Sequence, residues 1–221
     1  MTPWRILSLL LDYPDEELLS CSNELDQEAS KLALSPARGA ILAFLAHRRG
    51  QTASGAQREY VGTFDFAKRS TLYLSFHAYG DRRQRGMAML HLKRSYRAAG
   101  FELADGALPD HLPAVLEFAD VAPETGLGVL RDFRAALEVG RAALHEEGSP
   151  YALLLDAICE LLPAASEQEL EEARRIAAEG PPSETVGLEP FAPPEVMPAA
   201  CAAHSPRVPG KSGSGAYEVA L

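Results

Sequence analysis

Thr71-Leu72-Tyr73-Leu74-Ser75-Phe76-His77 is the stretch on which the fold class turns. Leu72, Leu74 and Phe76 alternate with Tyr73, Ser75 and His77, which is the period of a strand. Leu72, Tyr73 and Phe76 also fit one face of a helix. Every neighbouring segment reads as helix, and one isolated strand would have no partner to pair with. The stretch is therefore expected to be helical and to end at Gly80. With that choice the chain becomes all-α.

Outward from this stretch the helical pattern holds in both directions. On the N-terminal side a helix is expected over Ser54 to Phe66, with Tyr60, Val61 and Phe64 on one side. Before it, Ser35-Pro36 sets a serine cap and a first-turn proline ahead of Ile41, Phe44 and Leu45. Asp15 is the expected cap of a helix whose sparse apolar face is Leu18, Leu25 and Leu32. Pro14 closes a first helix over residues 3 to 11. On the C-terminal side Asp81 is expected to cap a long helix to about Ala99, with Met89, Leu92 and Tyr96 on its stripe and Gly100 as its stop. Asp110 is the expected cap of the next, where Leu112, Val115, Leu116 and Ala119 follow the i, i+3, i+4, i+7 pattern. One amphipathic helix is expected from Thr125 to His145. Another opens at Ser149-Pro150, and Ser166 with Glu169 forms a capping box for a short acidic helix to about Ala178. The sum is a single compact bundle of about eight to ten helices over residues 1–180.

Beyond Gly180 the composition changes. Eight of the 16 prolines lie in the last 41 residues, with a Gly/Ser-rich run from Gly210 to Gly215 and no apolar period. Residues 181–221 are expected to be an extended or disordered tail.

Bulk properties narrow the function. The 221 residues carry 31 acids against 21 Lys and Arg, a net charge of −10. Such a field does not draw the chain to nucleic acid or an anionic membrane, and it suits a basic peptide or surface. Three widely spaced cysteines, Cys21, Cys159 and Cys201, give no CxxC pair and point to a reducing compartment. The apolar run Ile6 to Leu11 is far short of the ~20 residues that span a bilayer, and it lacks the flanks of a signal peptide. A cytoplasmic protein with no inserted segment is the expectation.

Catalytic constellations do not assemble. The histidines lack HExxH or other tight ligand spacing, and Cys201 with His204 supplies only two of the four ligands a structural zinc needs. No GxSxG elbow or phosphate loop is present, and Cys159 sits in an apolar helix, where an inert thiol is expected. Two features remain. The basic cluster Arg82, Arg83, Arg85, Lys93, Arg94 and Arg97 supports an alternative reading as a nucleic-acid-binding or regulatory helical protein. Asp110-His111, bracketed by Pro109 and Pro113, sits on a stiff junction suited to ligand contact, because little entropy is lost there on binding.

Four groups of residues together resemble a known family. They are Leu9-Leu10-x-Asp12-Tyr13-Pro14; Glu59-Tyr60-Val61-x-x-Phe64-Asp65; His77-x-x-Gly80-Asp81-x-Arg83-x-x-Gly86-x-Ala88-Met89; and Leu108-Pro109-Asp110-His111-Leu112-Pro113. The combination resembles the NarJ family, the delta-subunit assembly chaperones of respiratory nitrate reductase, within the wider redox-enzyme maturation chaperones of the TorD/DmsD type. The likeness covers about residues 4 to 162. It implies an all-helical protein with no catalysis and no stably bound cofactor, acting on a molybdenum-cofactor enzyme. The implied partner is the catalytic (alpha) subunit, held by its N-terminal leader-like segment until the cofactor is inserted and the complex can assemble at its membrane anchor. No nucleic-acid partner is implied, and a monomer or weak dimer is expected. On this reading Tyr60, Phe64, Phe76 and His77 wall a peptide groove, Asp81 joins them, and Asp110 and His111 line its rim. His111 also suggests a pH-sensitive grip.

Overall fold

The computed structural model describes residues 1–65, 69–80, 82–104 and 106–180. Among them are twelve α-helices and no strand longer than one isolated bridge. In order they are α1 (Pro3–Leu10), α2 (Glu16–Ser20), α3 (Ser22–Lys31), α4 (Pro36–Arg49), α5 (Ala53–Phe64), α6 (Leu74–Tyr79), α7 (Arg83–Ala98), α8 (Leu112–Val121), α9 (Pro123–Asp132), α10 (Arg134–Glu146), α11 (Ala152–Leu161) and α12 (Glu167–Glu179). The expected tail, residues 181–221, lies outside the described residues.

Five of the twelve helix starts are closed by a side-chain cap. The side chains of Thr2, Asp15, Ser35 and Thr52 each accept a hydrogen bond from the backbone N–H three residues on, which satisfies an orphan donor of the first turn. Ser166 and Glu169 form the full reciprocal capping box. Two expected caps are corrected. The N-cap of α7 is Arg82, and that of α8 is His111; neither makes a side-chain cap bond. Asp81 lies outside the described residues, and Asp110 is used elsewhere.

Twelve helices replace eight to ten because two expected helices are broken. The one beginning at Glu16 is interrupted at Cys21, where the hydroxyls of Ser20 and Ser22 donate to the carbonyls of Glu17 and Leu19. Such side-chain bonds compete with the helical ladder. The helix expected from Thr125 to His145 turns at Phe133 (φ −100°, ψ 21°). No proline or glycine stands at that turn. Leu130, Phe133, Leu137 and Leu144 are all buried, so the apolar period runs straight through the bend.

The core is built by α4 on α11 and α1 on α8, with α10 packed on α11. Its largest fully buried side chains include Phe44, Tyr96, Phe118 and Tyr151. At α8 on α9, a Cβ placed on Gly126 would come within 2.4 Å of the Ala119 Cα. The absent side chain is what lets these two helices approach. A small satellite cluster, Val139 with Ala173 and Ile176, holds α12 against α10.

Candidate functional site

The stretch that opened the question proves to be both things in succession. Leu72 and Leu74 are buried and Tyr73 is exposed, as alternation requires. Tyr73 pairs with His111 in an antiparallel bridge: Leu112 N–H donates to the Leu72 carbonyl (2.9 Å) and Leu74 N–H to the Asp110 carbonyl (3.0 Å). The helix begins at Leu74. The partner such a segment needs is the Pro109–Leu112 loop, distant in sequence, so the two polar junctions are tied to each other.

Under this bridge lies a buried polar hub. Asp110 is fully buried. Its Oδ2 accepts a short hydrogen bond from the Ser75 hydroxyl and faces Arg85 Nη2 at 3.5 Å. Arg85 Nε also donates to Ser75 Oγ (3.2 Å), and its guanidinium lies 5.6 Å from the Phe76 ring centre and 6.0 Å from that of Tyr73. Tyr96 Oη donates to the Pro109 carbonyl (2.6 Å), pinning the loop from below. A buried carboxylate is tolerable when a cation and donors meet it. Oδ1 nevertheless has no hydrogen-bond partner. The hub thus joins α6, α7 and the loop before α8 through one carboxylate.

The expected site residues divide between this hub and the core. Asp110 does not stand at a rim; it is wholly interior, because Arg85 and Ser75 supply partners that solvent would otherwise provide. His77 is buried, and its Nε2–H donates to the Thr71 carbonyl (3.1 Å) while Nδ1 finds no partner. Burial holds its pKa below the ordinary value, opposed by that bond. Tyr60 and Phe64 are also buried. They stack edge-on with each other and with Tyr151, and Tyr60 Oη donates to the Leu11 carbonyl (3.3 Å). Phe76 and His111 are half-buried. Asp81 lies outside the described residues.

Several of the residues at the surface here were not anticipated. Tyr73 is 37% exposed and lies against the His111 ring at 5.2 Å between centres. Tyr13 is 44% exposed and meets Tyr60 edge-on at 5.5 Å. His111 is held below its ordinary pKa by burial, against the pull of the Asp12 and Asp110 carboxylates. Asp12 therefore faces the same region. The result is two presented tyrosine rings, an imidazole and a carboxylate, braced by buried aromatics and by the hub. It offers π faces, one acceptor and one titratable ring. Tyr13 and Asp12 lay within a quoted motif; Tyr73 lay within the ambiguous stretch, where no sequence signal separates an exposed ring from a packed one.

Among the described residues, no group of three or more His, Cys, Asp or Glu could hold a metal, and no helix is long and apolar enough to cross a membrane. Burial pushes the Cys159 thiol up to about 12, so it stays protonated.

Known proteins resemble this chain along much of its length. It is 38% identical over 161 residues to the nitrate reductase-like protein NarX of Mycobacterium tuberculosis (strain H37Rv), which covers 71% of this chain but only 24% of NarX. It therefore spans about a quarter of that relative's length. It is 33% identical over 150 residues to the probable nitrate reductase molybdenum cofactor assembly chaperone NarJ of Bacillus subtilis, covering 67% of this chain and 82% of that protein. The NarJ chaperone of Escherichia coli K12 is 33% identical over 177 residues, 79% of this chain and 75% of that protein. The nitrate reductase delta subunit family matches residues 27–157. By this match, and by the identity to NarJ proteins over most of their length, the chain belongs to the nitrate reductase delta subunit family.

Proposed function

We propose that this protein is an assembly chaperone for a molybdenum-containing nitrate reductase, and that it recognises the N-terminal segment of the catalytic subunit in the cytoplasm. The observation that carries the reading is the kinship with NarJ chaperones over three quarters of this chain. It acts by binding, with no catalysis of its own, and the molybdenum cofactor belongs to the client. The exposed rings of Tyr13 and Tyr73, with His111, Asp12 and the half-buried Phe76, are the contact face. Tyr60, Phe64, His77 and Asp110 shape that face from beneath. Rigid aromatic rings give contact area with little entropy lost on docking, and the acidic body suits a leader carrying basic residues.

Titration calorimetry with a synthetic peptide of the catalytic subunit's N-terminal residues tests this. Tyr13→Ala and Tyr73→Ala are each expected to weaken binding about tenfold or more, the loss typical of an aromatic anchor, with the melting temperature nearly unchanged. A peptide that wild-type protein does not bind would remove the reading.

A further inference from the structure

We infer that α7 carries a second docking surface, which receives an acidic segment with bulky apolar side chains from the same client. The client's identity rests on the chaperone reading; the chemistry of the segment rests on α7 alone.

From Arg82 to Arg97 there are six Lys or Arg and no carboxylate, in a chain whose acids outnumber its bases. Many surface cations elsewhere find acids: Arg5 with Glu117, Arg49 with Asp26, Arg69 with Glu146, Arg175 with Glu172 and Glu179; Arg58 and Arg131 stand singly, whereas α7 gathers its cations on one helix. Lys93, Arg94 and Arg97 are exposed and form no ion pair among the described residues.

The spacing places these charges around an apolar centre. Arg83, Met87, Leu90, Arg94 and Arg97 succeed one another by steps of four and three, so they form one stripe along the helix. Met87 is 63% exposed and Leu90 40%. Met87 also walls a cleft of about 460 Å³ whose other walls include Tyr79, His91, Val129, Asp132 and Phe133. A Met-walled apolar cleft with arginines further along the same helix is the anatomy of a protein interface: the cleft takes an anchoring side chain, and the cations orient what lies beside it. The guanidiniums then select carboxylates, bidentately where geometry allows.

A protein segment fits this surface better than nucleic acid does. The stripe carries no aromatic ring on which bases could stack, and the net charge of −10 repels a long polyanion from the rest of the surface. The sign of the stripe is opposite to that suited to a basic leader, so the two contact faces take different parts of the client.

The test uses the full chain, the purified apo catalytic subunit and its N-terminal peptide. The variants are Arg94→Glu/Arg97→Glu and, separately, Met87→Ser/Leu90→Ser; all four side chains are exposed, and circular dichroism verifies the fold. Each variant is expected to bind the subunit at least tenfold more weakly and the peptide with unchanged affinity. The charge variant's deficit should shrink at high salt. A photo-crosslinker at Leu90 should mark an acidic stretch of the subunit outside its N-terminal segment. Wild-type-like affinity of both variants for the subunit sinks the α7 assignment and leaves the chaperone reading standing. Equal losses for peptide and subunit also sink it, by merging the two faces. Duplex DNA binding lost in the charge variant, with subunit binding intact, would give the stripe to nucleic acid instead. Wild-type protein that binds neither subunit nor peptide overturns the chaperone reading and this client with it.

Discussion

Two arginines are drawn into the interior of this protein by different means. Arg48 on α4 is buried and forms no ion pair among the described residues. Its Nη2 donates to the Tyr151 hydroxyl (3.0 Å) and to the Leu10 carbonyl (3.4 Å), and its guanidinium lies 4.8 Å from the Phe44 ring centre. Arg85 on α7 reaches inward to a carboxylate, Asp110, that has no contact with solvent. The first arrangement joins α1, α4 and α11 through dipoles and π faces. The second joins α6, α7 and the loop before α8 through opposite charges. A cation held by neutral partners leaves little behind when it is removed; one held by a buried carboxylate strands that partner. The core is thus tolerant where the helices merely pack, and intolerant under the face that is proposed to bind.

Substitution can break this contrast. Arg85→Met should cost the most, about 3 kcal/mol of unfolding free energy, because it leaves the Asp110 carboxylate buried without a cation. Asp110→Ala should cost less, because Arg85 can still turn to water. Arg48→Met should cost only about 1–2 kcal/mol, the loss of its hydrogen bonds offset by a well-packed thioether. Denaturant midpoints measure all three, and equal costs for Arg85→Met and Arg48→Met would erase the distinction. The double variant Arg85→Met/Asp110→Leu should recover part of the loss, since no charge remains to be stranded.

The pH response is smaller and sharpens the same comparison. Both His77 and His111 have folded pKa values depressed by burial. The unfolded chain therefore binds more protons than the folded one below the ordinary histidine pKa of 6.5. Their contribution to stability is full above that value and is lost as pH falls toward the folded values. Each contributes a slope of at most about 1.4 kcal/mol per pH unit in that window. Urea midpoints at pH 5.5 and 7.5 should differ in that direction, and His77→Gln should flatten the slope. A midpoint that rises on acidification would contradict the burial of these rings.

Ser166→Ala, far from either arginine, is the smallest effect: about 1 kcal/mol from the lost cap of α12. The cost should appear in hydrogen exchange of α12 without changing peptide affinity.

Much of this architecture was legible before any coordinates. The caps at Asp15, Ser35 and Ser166, the stripe Leu112, Val115, Leu116, Ala119 and the inert Cys159 follow from neighbours a few residues apart. Asp110 was legible as a special residue but not as a buried one. A capping aspartate and a buried ion-pair partner look the same in sequence, since the difference lies in Arg85 on another helix and in Ser75, 35 residues earlier. Tyr60 and Phe64 stood out as aromatics, but their burial was not legible, because both rings lean on Tyr151, which caps a helix distant in sequence. The bend at Phe133 was invisible because the apolar period continues across it.

The sequence by itself determined the all-α class, most helix starts and the family resemblance, because propensity, capping and apolar period act over one or two turns. The tertiary structure alone decided which polar groups lie inside, that Leu72 and Tyr73 run extended before the chain coils at Leu74, and which rings reach the surface. Those outcomes depend on pairing across long stretches of chain: an extended segment needs a partner's carbonyls, and a carboxylate can be interior only where a guanidinium is brought to it.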